Sequence, residues 1–416
     1  SIFESSLSVE AFVQLQENIF RFEPGFFLQE RPIRSYPFKA AAHILGYVGE
    51  VDSSILKKTN YYYQIGDYMG LSGLERFYEP ILMGQRGVRY QIKDNKNRIV
   101  GSYENGLYDS VAIAGRNLRT TIDIDIQVLA ERMLKNKLGA IVAIDPRSGG
   151  IIAMASGPTY DPNLLTGNQR RNNFSWMLRD TARPLFNRAI KGQYPPGSTI
   201  KPTGALIALD EGVITPAFGL GCSGAYHGCR RSIGCTHKTS GHASSLRVAL
   251  AYSCNSYFSH LYRLAVDNPR LGGTVNGYLR WKQYMNSFGL GVRLGVDLPS
   301  EDKGLIADTS FYNRLYNRSW SSCTNVFLGI GQGEMQATPL QMANMMCIIA
   351  NKGFYYTPHF VQSIDGQLAS DTVLNRYKKK HQVTNISNET FEVVQLGMQD
   401  VVEQGTGAVA RIKGIA

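Results

Sequence analysis

The chain has 416 residues, of which 43% are hydrophobic and 19% charged, with 44 lysines and arginines against 33 aspartates and glutamates. These proportions exclude a disordered chain and a coiled coil, and at roughly 150 residues per domain the length predicts about three domains, within a range of two to four. The net charge of +11 favours an anionic partner, which by charge alone is nucleic acid, anionic lipid or a polyanionic polymer.

The first part of the chain shows no arrangement of residues for catalysis. Residues 1 to about 115 alternate short apolar runs with glycine and proline, and the alternating residues 87–92 predict a strand. The chain starts at Ser1 without a methionine, a cationic segment or an apolar segment, so we expect a signal, anchor or propeptide to have been removed. We interpret residues 1–115 as a structural or docking domain.

Regular secondary structure is predicted from residue 116 onwards. Residues 118–122 fit a strand, and Asp123 or Asp125 is expected to cap the helix that follows. Apolar residues at helical spacing define that helix, namely Ile126, Leu129, Ala130, Met133 and Leu134. Two apolar runs around a turn predict a β-hairpin, and further helices are predicted; the hairpin strands are 140–144 and 151–155, and the helices 198–211, 245–252, 256–266, 339–350 and 388–403. This order predicts an α+β fold with helices packed on an antiparallel sheet.

The segment around Ser198 carries the strongest chemical signal. Two prolines and a glycine impose an abrupt turn before an apolar helix, so Ser198 and Lys201 lie one turn apart on the same face. A serine hydroxyl becomes a nucleophile when a neighbouring base removes its proton. A desolvated lysine, whose pKa falls toward neutrality, can be that base. Alone, however, Ser-x-x-Lys is a weak signal, and a chance pair on a surface helix is the alternative.

A second polar element, Ser253-Cys254-Asn255, lies between two predicted helices. Ser253 can relay a proton to or from a leaving amine, and Asn255 can donate to a substrate carbonyl and hold Lys201. In isolation, an ordinary polar turn between two helices explains this segment. Its position after Ser198-x-x-Lys201 favours the catalytic interpretation.

Together the two elements resemble a known family. Ser198-x-x-Lys201 followed by Ser253-x-Asn255 is similar to the penicillin-recognising serine acyltransferases, which are the penicillin-binding proteins and the serine β-lactamases. Further segments along nearly the whole chain resemble the monofunctional, class B penicillin-binding proteins of the elongation type. These segments are Arg34-x-Tyr36-Pro37, Gly46-Tyr47-Val48-Gly49, Ser72-Gly73-Leu74-Glu75-x-x-Tyr78-Glu79, Leu118-Arg119-Thr120-Thr121-Ile122-Asp123, Asp145-Pro146-Arg147-Ser148-Gly149, Tyr160-Asp161-Pro162-Asn163 and Gly329-Ile330-Gly331-Gln332-Gly333.

The resemblance implies both an architecture and an activity. Residues 1–115 would form a non-catalytic, dimerisation-like pedestal, and residues 116–416 a transpeptidase domain of the penicillin-binding-protein and β-lactamase type. The implied activity is D,D-transpeptidation of peptidoglycan stem peptides during wall elongation, with a D,D-carboxypeptidase side activity and no cofactor for the chemistry. Ser198 would attack the donor stem and expel its terminal D-Ala, Lys201 would act as base, and Ser253 and Asn255 would assist. β-Lactams would leave a long-lived ester on Ser198.

One motif of the family is not found where it is expected. A Lys-Thr/Ser-Gly motif on an edge strand should follow a segment like residues 405–410, and the sequence stops at Ala416, at the start of that strand. Lys238-Thr239-Ser240-Gly241 has similar letters but precedes Ser253, which is the wrong order. We therefore expect the end of the chain to be truncated.

Four of the six cysteines lie close together in sequence, near two histidines. Three thiolates and one imidazole can form a tetrahedral zinc site, and the family resemblance, which includes members with zinc beside the active site, suggests the ligands Cys222, Cys235, His242 and Cys254, with Cys229 and His237 as substitutes. The alternatives are a disulfide, Cys222–Cys229 or Cys229–Cys235, with Cys254 a buried free thiol and the histidines solvated. Cys323 and Cys347 have apolar neighbours and are predicted in the core.

The resemblance also implies a location and partners. A membrane glycosyltransferase of the shape, elongation, division and sporulation type would supply glycan strands, and a membrane helix before residue 1 would anchor the chain to the bacterial inner membrane with its bulk in the periplasm. Stem peptides and β-lactams would be its ligands, and no nucleic acid is expected. Two other functions stay open, a β-lactamase or penicillin sensor and a non-enzymatic scaffold for wall synthesis.

Overall fold

The computed structural model describes residues 7, 9–22, 33–59, 62–96, 98–167, 169–238, 240–366, 372–383 and 386–414. Three of the sequence-based expectations involve residues outside these ranges, namely the start at Ser1, Thr239 of the rejected Lys-Thr-Ser-Gly segment and the end at Ala416. In the described ranges, the apolar stretch that a bilayer-crossing helix requires is not found in any helix.

Helices and strands alternate along the described chain, in agreement with the predicted α+β class. The helices are α1 (Val9–Asn18), α2 (Ala42–Leu45), α3 (Ser53–Lys58), α4 (Gly73–Phe77), α5 (Glu79–Leu82), α6 (Ile124–Met133), α7 (Arg170–Arg179), α8 (Arg188–Lys191), α9 (Lys201–Asp210), α10 (Leu246–Ala251), α11 (Asn255–Val266), α12 (Thr274–Ser287), α13 (Thr309–Leu315), α14 (Pro339–Ala350) and α15 (Asn388–Glu403). The strands are β1 (Val48–Glu50), β2 (Tyr68–Gly70), β3 (Gln91–Lys93), β4 (Ile99–Ser102), β5 (Leu118–Thr120), β6 (Gly139–Ile144), β7 (Ile151–Gly157), β8 (Ala225–Tyr226), β9 (Ile233–Gly234), β10 (Leu305–Ile306), β11 (Met335–Gln336), β12 (Phe354–Tyr356), β13 (Val361–Ile364) and β14 (Lys380–Gln382).

Strands β6 and β7 form a hairpin, as the sequence predicted. The two strands pair antiparallel from Gly139 opposite Gly157 to Ile144 opposite Ile151. Strand β5 pairs with β13, and the N–H of Ile151 donates to the carbonyl of His359, which brings that pair against the hairpin. Helix α6 packs on β7, and the Asp123 side chain caps it by accepting the N–H groups of its first turn.

Helix α9 is the core of the helical part of the molecule. It packs against α11 and α15, and seven of its ten residues are buried. A helix that is apolar on all sides belongs in an interior, so the segment that follows Ser198 is surrounded by other elements and fixed in position. The core around it takes side chains from α10, α11, α12, α14 and α15 as well.

The base of the N-terminal region shares a second core with the sheet. Ile44, Leu74 and Tyr78 pack in one cluster with residues of β7 and β13. The Tyr78 hydroxyl donates to Asp297 at 2.9 Å, and the same carboxylate accepts the N–H groups of Phe360 and Val361. Residues 40–82 are therefore packed directly onto the sheet, and the domain boundary at residue 115 stays a prediction.

Two predicted elements differ from the structure. Residues 87–92 do not form one strand, because Val88 pairs with Ser110 whereas β3 pairs with β4, so the chain changes partner between them. The predicted helix 198–211 begins as a 3-10 turn, Gly197–Ile200, and becomes α-helical at Lys201. Pro202 explains this change, since proline lacks an N–H and is accommodated only in the first turn of an α-helix.

Candidate active site

The turn that carries Ser198 is held by backbone hydrogen bonds on both sides. Tyr194 exchanges two backbone hydrogen bonds with Ala337, at 3.0 and 2.9 Å. The N–H of Gly197 donates to the carbonyl of Gly331 at 2.8 Å. The turn is thus fixed before the helix starts, and Ser198 is presented on the exposed side of the molecule.

Gly331 can only be glycine in this packing. Its φ is +71°, and a Cβ there would lie 2.1 Å from the carbonyl oxygen of Gly197. A left-handed φ favours glycine on its own, and the close approach excludes any side chain. This contact gives the Gly329–Gly333 motif a physical role, because it lets a second segment support the turn before Ser198.

Lys201 lies beneath that turn with its ammonium group fully hydrogen-bonded. The side chain is 2% exposed, and Nζ donates to the Ser253 carbonyl at 2.7 Å, to Ser253 Oγ at 2.9 Å and to Asn255 Oδ1 at 2.7 Å. An ammonium group has three donors and no acceptor, so these contacts use all of them. The structure brings together three of the four residues that the sequence singled out.

Burial lowers the pKa of Lys201 to about 8, against the opposing effect of the nearby Cys254 and Cys235 sulfurs. Desolvation disfavours the charged form of a lysine. The amine is therefore within reach of its neutral form close to physiological pH, which an exposed lysine is not.

Ser198, the fourth residue, stands apart from this hydrogen-bonded group. Within the described part of the chain, no hydrogen bond joins its hydroxyl to Lys201 or to Ser253. Side chains at i and i+3 share a helix face, and the hydrogen bonds of an active site commonly tighten only with substrate bound. The structure therefore places the exposed Ser198 one turn before the buried Lys201.

The Ser253–Asn255 element has a strained backbone and a fixed amide. Ser253 has a φ of +52°, a left-handed conformation that costs on the order of 1 kcal/mol or more for a residue other than glycine and recurs at functional sites. Asn255 accepts from Lys201 through Oδ1 and donates through Nδ2 to the Gly234 carbonyl at 2.8 Å. Because lysine only donates and a carbonyl only accepts, these two partners determine the orientation of the amide.

A cluster of three cysteines and one histidine includes Cys254, the middle residue of this element. One potential ligand atom from each of Cys222, Cys235, His237 and Cys254 lies within 4.8 Å of the other three. The Cys235 sulfur is 3.7 Å from that of Cys222 and 3.9 Å from that of Cys254. Burial raises the pKa of the Cys254 thiol to about 12, so a cation is needed to hold it as thiolate. Three thiols and an imidazole are a donor set that fits zinc.

The structure corrects the disulfide predictions and places His237, the substitute ligand, in the cluster. His237 contributes the imidazole of the cluster, whereas the ring of His242 packs on His237 at 4.3 Å and on Tyr252 at 4.4 Å. Cys229 forms a disulfide with Cys323, which excludes it as a substitute ligand. The same bond corrects the proposed Cys222–Cys229 and Cys229–Cys235 pairs and the placement of Cys323 as a core thiol. Cys347 is a buried free thiol, as predicted.

Several supporting residues were not found by sequence reasoning. The Gly234 carbonyl holds Asn255, and the Phe258 ring lies 5.5 Å from Lys201 Nζ. A backbone carbonyl leaves no signal in the sequence. Phe258 does leave one, because it follows Asn255 by one helical turn and so lies on the same face of α11.

An exposed Ser198 one helical turn before the buried Lys201, on an α+β fold, is an arrangement suited to covalent catalysis through a serine. Residues 139–416 match the penicillin-binding protein transpeptidase domain and residues 1–120 match the penicillin-binding protein dimerisation domain. The chain belongs to the penicillin-binding protein family, and it has the domain pair expected of a class B member.

Within this family, the chain is similar in sequence to the curated proteins named MrdA. The chain is 33% identical over 388 residues to the peptidoglycan D,D-transpeptidase MrdA of Acinetobacter baumannii, covering 92% of this chain and 55% of that protein. It is 30% identical over 400 residues to MrdA of Escherichia coli K12, covering 94% and 60%. The chain thus spans between 55% and 60% of the length of these curated relatives.

Solved structures of penicillin-binding protein 2 share the fold. The Pseudomonas aeruginosa protein, in complex with WCK 5153, is 31% identical with a TM-score of 0.72, covering 91% of this chain and 79% of that one. The Helicobacter pylori protein, in a complex with MreC, is 24% identical with a TM-score of 0.80, covering 98% and 71%, and shows likeness of fold. The resemblance to the elongation-type class B proteins is thereby confirmed.

Proposed function

We propose that this protein is a serine D,D-transpeptidase that cross-links peptidoglycan stem peptides. The observation that carries the proposal is the buried Lys201 amine, which contacts Ser253 and Asn255 at 2.7–2.9 Å below the turn that presents Ser198. Desolvation prepares this lysine as a base. The same arrangement with an exposed, solvated lysine would not activate a hydroxyl.

The proposed reaction has two steps with balanced proton transfers. Neutral Lys201 takes the proton of Ser198 Oγ as that oxygen attacks the penultimate D-Ala carbonyl. The C–N bond to the terminal D-Ala then breaks, and Lys201 returns the proton through Ser253 Oγ to the departing nitrogen, so that both groups end neutral. The amine of a second stem then attacks the ester and loses its proton through Ser253 Oγ to Lys201. As the ester C–O bond breaks, Lys201 passes that proton to Ser198 Oγ, which regenerates the serine. The Ser198 N–H, with a second N–H from a later strand, stabilises the oxyanion.

Acylation by a labelled penicillin tests this directly. We expect the full-length protein to gain one acyl group, mapped to Ser198, and the Ser198→Ala protein to gain none. The Lys201→Met protein should fold and acylate at least about 100-fold more slowly, because it loses the general base. Absence of labelling in the wild-type protein would contradict the proposal. Fast hydrolysis of the acyl group would indicate a β-lactamase instead.

We also propose that Cys222, Cys235, His237 and Cys254 hold a structural zinc ion. The support is the closed donor set within 4.8 Å and the position of Cys254 between Ser253 and Asn255. Bound there, zinc would supply charge to hold the thiolates and would fasten the loop that carries both polar residues. It would take no part in the bond making and breaking.

We further propose that the protein works at the periplasmic face of the inner membrane beside a membrane glycosyltransferase. A chain of a structure described as structural coordination of polymerization and crosslinking by a peptidoglycan synthase complex is 27% identical, covering 98% of this chain and 69% of that one, with a TM-score of 0.77. An apolar pedestal surface, formed by Ile99, Val100, Leu107, Tyr108 and Val111, is exposed. Exposed apolar patches of this kind mark interaction sites.

A photo-crosslinker at Val111 in cells tests that partnership. Val111 is 87% exposed, and Leu178, at 68%, is a matched position on α7 outside the pedestal surface. We expect the glycosyltransferase to be captured from Val111 and not from Leu178. Equal capture from both positions, or none from Val111, would count against this partner.

A further inference from the structure

The segment Cys222–His237 folds as a short hairpin, β8–β9, that lies along α11; we refer to it as the 222–237 hairpin. Its two strands pair through only two residues each, Ala225 with Gly234 and Tyr226 with Ile233. A two-stranded hairpin of this length is not stable by itself. Its position must therefore come from contacts at its two ends.

The end of the hairpin at Gly234 and Cys235, which we call its near end, holds the Asn255 amide. The Gly234 carbonyl accepts from Asn255 Nδ2 at 2.8 Å, and the Cys235 sulfur accepts the N–H of Ser256 at 3.4 Å. Because Asn255 uses its other end on Lys201, a shift of Gly234 turns the amide away from the lysine. The near end of the hairpin thus holds one of the three contacts that orient the Lys201 amine.

At its far end the hairpin is joined covalently to another segment. Cys229 and Cys323 form a disulfide across 94 residues of sequence. Arg263, two turns further along α11 than Asn255, donates to the Gly228 carbonyl at 2.6 Å and to Ser322 Oγ at 3.1 Å. The tip of the hairpin and the loop at Ser322 are therefore both attached to the helix that begins with Asn255.

The second segment leads directly to the turn before Ser198. From Cys323 the chain enters the 3-10 helix Val326–Ile330, which packs on α11, and the next residue, Gly331, accepts the N–H of Gly197. The disulfide thus joins the 222–237 hairpin to the segment 323–331, and both lie against α11; we call these two joined segments the frame. One arm of the frame holds the Ser198 turn, and the other arm holds the amide that orients Lys201.

We propose that the Cys229–Cys323 disulfide is a positioning element for acylation, which sets the Ser198 turn and the Asn255 amide relative to each other. This inference rests on the proposed transpeptidase function and extends it to residues that do not touch the substrate. Since a displacement of about 1 Å between reacting groups can cost up to 100-fold in rate, loss of the frame lowers the acylation rate constant while the affinity for the free β-lactam changes little. The bond also ties full activity to an oxidising compartment, where disulfides persist.

The test compares Cys229→Ala/Cys323→Ala with Cys347→Ala, which removes a buried free thiol outside the frame. Acylation by a labelled penicillin is resolved into a dissociation constant and an acylation rate constant, at a temperature where circular dichroism shows every protein folded. We expect the double variant to acylate about tenfold more slowly at an unchanged dissociation constant, and Cys347→Ala to match the wild type. Alanines are used so that no new thiol competes for metal.

Each outcome has a separate meaning. If the double variant loses only thermal stability and acylates at the wild-type rate, the disulfide is merely structural and the inference is wrong. If the wild-type protein is not acylated at all, the proposed transpeptidase function is wrong, and the inference about the disulfide is wrong with it. Should the double variant not fold, folded wild-type and Cys347→Ala proteins are compared before and after reduction by a phosphine, and an unchanged rate after confirmed reduction overturns the inference equally.

Discussion

The charge state of Lys201 decides whether the proposed reaction can start. Burial lowers the pKa of this amine to about 8, so at pH 7 about one molecule in ten carries the neutral base. The neutral fraction rises as the pH rises, because deprotonation is favoured above the pKa. We therefore expect the acylation rate constant to rise about tenfold per pH unit below pH 8 and to level off above it.

Acylation by a labelled penicillin, measured between about pH 6 and pH 10 with circular dichroism as the folding control, gives this profile. The dissociation constant, determined from the concentration dependence at each pH, separates binding from chemistry. A rate that is flat between pH 7 and pH 9, or that falls with pH, would show that Lys201 is not the base.

At the residue scale, the sequence predicts which side chains lie together when they are only a few residues apart in the chain. Ser198 and Lys201 lie one turn apart because Lys201 is the third residue after Ser198. The Ser-x-Asn element comes to Lys201 because it begins a helix that packs on α9. The choice between His237 and His242 as the metal ligand stays a prediction, because the direction of each side chain depends on tertiary contacts. Composition and spacing carry no information on such directions.

At the element scale, the 222–237 hairpin and α11 are joined by the thiol and imidazole cluster. We expect His237→Ala to weaken zinc binding by at least about 100-fold, since loss of even an outer hydrogen-bond partner costs 10–100-fold. His242→Ala should weaken it by at most about tenfold, because that ring packs on His237 and Tyr252 and lies outside the group of four potential ligands. Competition with a chromophoric chelator measures both affinities on protein purified without chelator.

The same pair of variants provides the control, because each removes one imidazole from the same loop. Equal zinc affinity in the two variants would contradict the assignment of His237, and no zinc in the wild-type protein would contradict the site as a whole. Loss of zinc should also slow acylation, since the proposed metal would fasten the segment that carries Ser253 and Asn255.

Elements with a strong periodic pattern were predicted well. The helices expected at 339–350 and 388–403 match α14 and α15, and the β6–β7 hairpin pairs as expected, because apolar periodicity and turn residues are local signals. The prediction of one strand over residues 87–92 was wrong for a different reason. Apolar and polar residues do alternate in this segment, but its pairing partner changes along its length. The partner is determined by tertiary structure, which the local sequence does not reveal.

At the scale of the whole molecule, long-range contacts decide the arrangement and were the least predictable. The disulfide joins residues 94 apart, and six cysteines allow many pairings that sequence cannot separate. The base of the pedestal and the sheet share one buried cluster, including Ile44, Leu74 and Phe360. We infer that these two parts unfold together, since neither has a complete core of its own there.

Tyr78→Phe tests this shared core. The Tyr78 hydroxyl donates to the Asp297 carboxylate at 2.9 Å, and Asp297 is 0% exposed, with a pKa raised by its burial. Removing a donor from a buried carboxylate should lower the free energy of unfolding by about 1.5–3 kcal/mol, in a single transition that includes the pedestal base. Urea unfolding followed by fluorescence and by circular dichroism measures it, with the exposed Tyr108→Phe as the matched control. If Tyr78→Phe and Tyr108→Phe unfold alike, or if the two probes report separate transitions, the hydrogen bond does not join the two parts.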